Sequence, residues 1–135
     1  MRYKLKSKLK IDSQCNHMLI FSQHLMLFDD HKVQCYRPDG VLEREWILDS
    51  SIQLVQPVGG LSGKESCLLG LQNGQLIQLF VHNQFPVPLI KLNGTPGDLD
   101  LSASRRYLAV TDQLTNCYVY EFASGQLVYQ VSKVS

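Results

Sequence analysis

Apolar residues along this chain come in short runs of five to eight, each closed by Gly, Asn, Asp, Ser or Pro. Helical periodicity is weak almost throughout, whereas Val, Ile, Leu, Tyr and Phe dominate the runs, as a pleated surface packed on at least one face prefers. The pattern predicts strands at 3–11, 17–21, 24–28, 32–36, 41–46, 52–56 and 66–71, and again at 75–81, 87–92, 98–101, 107–111, 117–122 and 126–131. Between them, Pro38-Asp39-Gly40, Gln72-Asn73-Gly74 and Ala123-Ser124-Gly125 place a glycine where a tight turn needs positive φ. Strands joined this closely pair antiparallel, and no segment offers the helices of ten or more residues that parallel pairing would need.

The strands also repeat as groups. Val33, Leu76 and Tyr118 each stand second in a strand after a polar turn, at intervals of 43 and 42 residues. Leu42 and Leu127, two positions beyond the turn glycines Gly40 and Gly125, lie 85 apart, or two such intervals. Four strands in about 40–45 residues is the signature of a WD40-type propeller blade. The Trp-Asp pair that names the repeat falls at Tyr120-Glu121 in substituted form, and the Gly-His pair is absent, so the repeats are degenerate. The predicted fold is all-β: a partial WD40-type β-propeller of about three four-stranded antiparallel blades plus one extra strand. The expected layout of residues 1–135 is an open propeller fragment, with 1–12 as the last strand of a preceding blade and blades at 17–48, 50–93 and 97–135. Closed propellers have about 4–8 blades, so three leave apolar faces open at both ends. The expectation is a piece of a longer protein, or a shortened product that dissolves poorly alone.

Composition adds little until charge is placed along the chain. Over 135 residues the formal charge is +1, yet Arg2, Lys4, Lys6, Lys8 and Lys10 crowd the first ten positions, and the remainder carries eight basic against twelve acidic residues. The lysines alternate along the first strand and read as edge protection against unwanted strand pairing. A phosphate backbone or an acidic partner surface is the other use for such a stripe, but the one aromatic, Tyr3, sits on the opposite face. No apolar run approaches the ~18–20 residues of a membrane-spanning helix, which predicts no direct membrane insertion.

Candidate chemistry is sparse. Gly59-Gly-Leu-Ser-Gly-Lys64 lacks the first glycine of a phosphate-binding loop, where Val58 stands, and its Mg²⁺-binding hydroxyl, where Glu65 stands; it reads as a loop between strands. His17, His24 and His31 are seven apart, which aligns them only on a helix, and the nearest cysteines fall in a different register. Asp29-Asp30 belongs to a turn, and Asp98 with Asp100 to the polar face of a strand. Asn93-Gly94-Thr95 is a formal glycosylation sequon but precedes Pro96 and reads as a turn. Cys15, Cys35, Cys67 and Cys117, separated by 20, 32 and 50 residues, match no metal knuckle or redox pair and read as reduced intracellular thiols. Arg105-Arg106 reads as a solvent-facing turn, Tyr36 and Phe85 as candidate exposed contact aromatics, and Trp46 as packing. The expectation is therefore no catalytic, cofactor-binding or metal residues, no small-molecule substrate and no nucleic acid, with the protein-interaction residues left unassigned.

Several stretches are more specific than a generic blade. Val41-Leu-Glu-Arg-Glu-Trp46, Leu68-Leu-Gly-Leu-Gln-Asn-Gly-Gln-Leu76 and Leu99-Asp-Leu-Ser-Ala-Ser-Arg-Arg-Tyr-Leu-Ala-Val-Thr-Asp112, in this order, resemble the WD-repeat subunits of intraflagellar transport complex A, within the second of their two propellers. That resemblance implies a non-enzymatic scaffold in retrograde ciliary transport and cilium assembly. It implies the other complex A subunits as partners, and a place in the cilium and the cytoplasm around the basal body. The residues alone leave open a propeller of another trafficking or coat complex, an enzyme or small-ligand propeller with its site in the central channel, a self-contained β-sandwich adaptor, or a non-functional truncated product.

Overall fold

The computed structural model describes residues 15–113 and 116–132. These build twelve strands in three separate four-stranded antiparallel sheets, each a simple up-and-down meander. The first holds β1 (His17–Ile20), β2 (Leu25–Phe28), β3 (Lys32–Tyr36) and β4 (Leu42–Ile47). The second holds β5 (Ile52–Gly59), β6 (Ser66–Leu71), β7 (Gln75–Phe80) and β8 (Val87–Lys91), and the third β9 (Pro96–Leu101), β10 (Tyr107–Asp112), β11 (Asn116–Glu121) and β12 (Leu127–Ser132). This is the partial propeller that the spacing predicts, and three sheets in series are not a two-sheet sandwich. The extra strand and the basic stripe expected over 1–12 lie outside the described residues.

Turn chemistry sets the meanders. Gly40, Gly74 and Gly125 have φ of 84°, 94° and 72°, as the three turn tripeptides predict. Gly74 is the strictest case, because a Cβ there would stand 2.5 Å from the Leu92 carbonyl oxygen. In each blade the pairing of the third and fourth strands shifts register once, beside the hairpin at Cys35/Tyr36 and Val119/Tyr120 in the first and third blades and at the opposite end of the ladder, Leu76/Ile77, in the second. A bulge sharpens the local twist of a sheet, and here it is repeated once per blade.

Two apolar layers lie between the three sheets. One joins Met26, Phe28, Val33, Cys35 and Trp46 of the first blade to Cys67, Leu69, Leu71, Ile77 and Leu79 of the second. The other joins Leu68, Leu76 and Leu92 of the second blade to Leu99, Leu101, Leu108 and Val110 of the third. Strand alternation explains the division: along β6 the odd positions face the first blade and Leu68 faces the third. Gly70 shares that second face, and a Cβ on it would meet Pro96 Cγ at 3.0 Å, so its absence lets the third blade close in. Backbone and side-chain bonds pin the seams. Asp30 O accepts from Ile52 N at 2.6 Å, Trp46 Nε1 donates to Asn83 O at 3.1 Å, and Arg44 donates to Val81 O at 3.2 Å and Gln84 Oε1 at 2.9 Å.

Candidate functional site

Trp46 packs as expected, 3% exposed and bonded across the seam. Phe85, at 75% exposed, stands free at the tip of the β7–β8 loop that Trp46 and Arg44 hold down. Tyr36 departs from expectation. It is only 7% exposed, and its hydroxyl donates to Gln34 Oε1 at 3.1 Å along the same face of β3.

The arginine turn faces solvent as expected, with Arg105 and Arg106 both exposed. Arg105 has φ of 64°, a left-handed conformation that non-glycine residues seldom adopt. From there its Nε donates to Val58 O at 2.9 Å, which ties the third blade to the second. Arg106 lies over the Tyr107 ring at 5.2 Å.

The glycine-rich loop is closed to an external anion by the chain's own carboxylate. Gly59, Gly60 and Gly63 all have positive φ, and the Gly63 amide donates to Glu65 Oε1 at 2.6 Å. Ser22 Oγ of the first blade donates to Glu65 Oε2 at 3.2 Å. Burial opposes ionisation of Glu65, but its own amide, the Gly63 amide, the Ser22 hydroxyl and nearby His24 together hold it below the usual carboxylate range. Glu65 is covered by these immediate neighbours at the rim, not set deep in the core.

The three histidines do not converge. His17 is exposed at the start of β1, and His31 Nδ1 lies 3.4 Å from Asp30 Oδ2 in the β2–β3 turn. His24 instead meets two residues that the spacing did not suggest. Its Nε2 is 2.8 Å from Glu43 Oε2, and one ligand atom from each of His24, Cys35 and Glu43 lies within 4.8 Å of the others. Glu43 reaches this point because β3 pairs Cys35 with Arg44 and Tyr36 with Leu42, leaving Glu43 as the extra residue of the bulge. Burial above all, then the negative charges of Glu43 and Glu65, against the opposing pull of Arg44, push the Cys35 thiol up to about 12. Cys67 also rises to about 12, through burial and then Cys35.

The remaining candidates are structural. Asp29 Oδ1 accepts the Asp30 amide within the turn, and Asp98 Oδ1 accepts the Leu99 amide, while Asp100 is exposed. Thr95 Oγ1 donates to Gln72 O at 2.7 Å, so the sequon is a turn that fastens the second blade's end. All four cysteines are free thiols, with Cys35 and Cys67 buried.

What the molecule offers other molecules is surface at its two ends. On the first blade Met18, Ile20 and Ile47 are 67%, 80% and 62% exposed, and on the third every residue of β12 is exposed. An open groove of about 310 Å³ on the third blade is lined by Asp100, Ser102, Tyr107, Ala109, Val119 and Tyr129. No helix among the described residues is long and apolar enough to cross a membrane.

Comparison with known proteins is consistent along the whole chain. The family described as IFT122 second beta-propeller matches residues 1–135. The chain is 38% identical over 130 residues to the intraflagellar transport protein 122 homolog of Xenopus tropicalis, covering 96% of this chain and 11% of that protein. It is 38% identical to the Homo sapiens homolog and 36% identical to that of Danio rerio, over the same 96% of its length. The chain thus spans about a tenth of the relatives it matches. Among solved structures, BBS1N in complex with ARL6DN, soaked with mercury, superposes with a TM-score of 0.69 at 15% identity, over 96% of this chain and 43% of that one. The computationally designed Ika4 protein gives 0.72 at 15% identity, over 100% and 85%. At such identities these likenesses show the fold alone.

Proposed function

Because the chain belongs to the IFT122 second beta-propeller family, we propose that it is a non-enzymatic interaction module of an intraflagellar transport complex A subunit. The module serves retrograde ciliary transport and cilium assembly, at the cilium and the surrounding basal-body cytoplasm. Other complex A subunits are its partners, and neither nucleic acid nor a small-molecule substrate is. Residues 1–135 act as one open propeller fragment, with blades at 17–48, 50–93 and 97–135. The observation that carries this reading is 36–38% identity, sustained over 96% of the chain, to transport subunits from three vertebrates.

The physics of the surface agrees with a scaffold. The polar constellations are consumed internally: Glu65 fills the glycine loop, Arg105 binds a backbone carbonyl, and Asp98 caps its neighbour. Stacked sheets supply stiffness, and the exposed ends and loop tips such as Phe85 supply contact area. The test is affinity purification of the full-length protein from ciliated cells, with and without residues 17–132, followed by quantitative mass spectrometry. Enrichment of complex A subunits that falls on deletion is the expected result. Enrichment of a different coat or trafficking complex, or no change on deletion, overturns the assignment.

A further inference from the structure

We propose that His24, Cys35 and Glu43 form a binding site for a borderline-soft divalent transition cation of the zinc class at the rim of the first blade. An imidazole nitrogen, a thiol sulfur and a carboxylate oxygen lie within 4.8 Å of one another. Tetrahedral zinc with Zn–S near 2.3 Å and Zn–N near 2.0–2.1 Å sets such atoms about 3.5 Å apart. The widest separation must close by no more than about 1.3 Å and the 2.8 Å His24–Glu43 contact must open slightly.

A second observation points the same way. His24 Nδ1 is buried and has no hydrogen-bond partner, while Nε2 faces Glu43. With Nε2 donating to the carboxylate, Nδ1 is a bare lone pair sealed from water, an arrangement that buried polar atoms rarely keep. With no partner at Nδ1, nothing locks the tautomer: the ring proton can sit on Nδ1 and leave the Nε2 lone pair to a cation shared with the Glu43 carboxylate and the Cys35 sulfur.

Charge and access are consistent with this. Neutral imidazole, thiolate and carboxylate together offset a divalent charge, so the filled site is neutral in a half-buried place. Glu65 adds negative potential at Cys35, whereas Arg44 is fastened away on Val81 O and Gln84 Oε1 of the second blade. Exposure of the side chains falls from 37% at Glu43 to 11% at His24, and Cys35 is fully buried, so Glu43 is the outermost of the three. On binding, the Cys35 thiol proton leaves to solvent and sulfur takes the metal bond in its place. Water completes the fourth position. The ligands precede β2 and lie on β3 and β4, so the cation fastens three strands of one blade beside the Ser22–Glu65 contact to the next.

The test uses the full chain under reducing conditions, titrated with Zn²⁺ against a chromophoric chelator and, separately, with Co²⁺ read by absorption. The expected result is one equivalent of cation with a thiolate-to-cobalt charge-transfer band. That band is lost in Cys35→Ser, and affinity falls about 10–100-fold in Glu43→Gln. Since Cys35 packs in the core, Glu43→Gln on a part-exposed carboxylate decides the matter if Cys35→Ser does not fold. His17→Gln, at an exposed histidine seven residues away, is expected to bind as the parent does. Absence of the band at saturating Co²⁺, undiminished affinity in Glu43→Gln, or an equal loss in His17→Gln overturns the proposal.

Discussion

β6 and β12 are strands of the same length with similarly apolar sequences, Ser-Cys-Leu-Leu-Gly-Leu against Leu-Val-Tyr-Gln-Val-Ser, yet every residue of the first is buried and every residue of the second exposed. Their composition does not explain the contrast. β6 is an inner strand of the middle blade, with the first blade against its odd positions and the third against its even ones. β12 is the outermost strand of the last blade and, among the described residues, has no sheet beside either face. Burial in this architecture needs both an inner place in the sheet and a neighbouring blade, since β8, outermost in the middle blade, also has no buried residue.

Leu69→Ala tests that contrast most severely. Leu69 is fully buried in the layer between the first two blades, and truncation there is expected to cost about 2–5 kcal/mol, read as a fall in the urea midpoint of unfolding. A loss within the range of an ordinary surface substitution would mean the two blades do not share a packed layer.

The same contrast marks what could be read from the residues. Strand positions, the turns at Gly40, Gly74 and Gly125, and the meander order follow from local signals: apolar alternation, turn tripeptides and a period near 42. Contacts that depend on register or on the next blade do not. Glu43 comes beside His24 and Cys35 only because a bulge leaves it unpaired, and nothing local to Leu42-Glu43-Arg44 signals that slip. Arg105 reads correctly as an exposed charge, but its bond to Val58 O of the second blade is not legible, nor is the burial of Tyr36 with its hydroxyl on Gln34. A resemblance to relatives conveys such neighbours collectively, without saying which atoms meet.

Gly70→Ala sharpens the comparison on the other face of β6. The added methyl would stand 3.0 Å from Pro96 Cγ and 3.3 Å from Leu54 Cβ, so these side chains at the seam must give by a few tenths of an ångström. Overpacking of this kind costs about 1–3 kcal/mol. The expected signature is a lower midpoint, with faster amide exchange concentrated in β9 and unchanged exchange in β2 and β3. Uniform loosening of all three blades would contradict a local seam.

Glu65→Gln probes the rim where the first two blades meet. Glu65 titrates below its ordinary value of 4.5 in the folded chain, so its ionised form contributes stability in full above about that pH. The contribution is lost as pH falls through the lower folded value. Removing the charge is expected to cost about 1 kcal/mol at neutral pH, moderated by screening near the surface. It should also flatten the acid limb of stability against pH below 4.5. An acid limb of unchanged steepness in urea midpoints taken across that range would remove Glu65 from the seam.

The smallest expected effect belongs to β12, and it bears most directly on the opening contrast. Leu127 and Val131 are 47% and 54% exposed, and the strand is held by its ladder to β11, which backbone groups make regardless of side chain. Thr is a good strand former that keeps the branched shape of Val, so Leu127→Thr with Val131→Thr leaves that ladder intact. Substitutions at such positions fall within about 0.5 kcal/mol of the parent. The urea midpoint should therefore hold, while sedimentation at rising concentration should show less self-association, since the pair removes apolar area beside a strand edge that no described residue pairs. A drop in stability comparable to Gly70→Ala would mean that β12 is covered in the folded chain, and that its exposure does not distinguish it from β6.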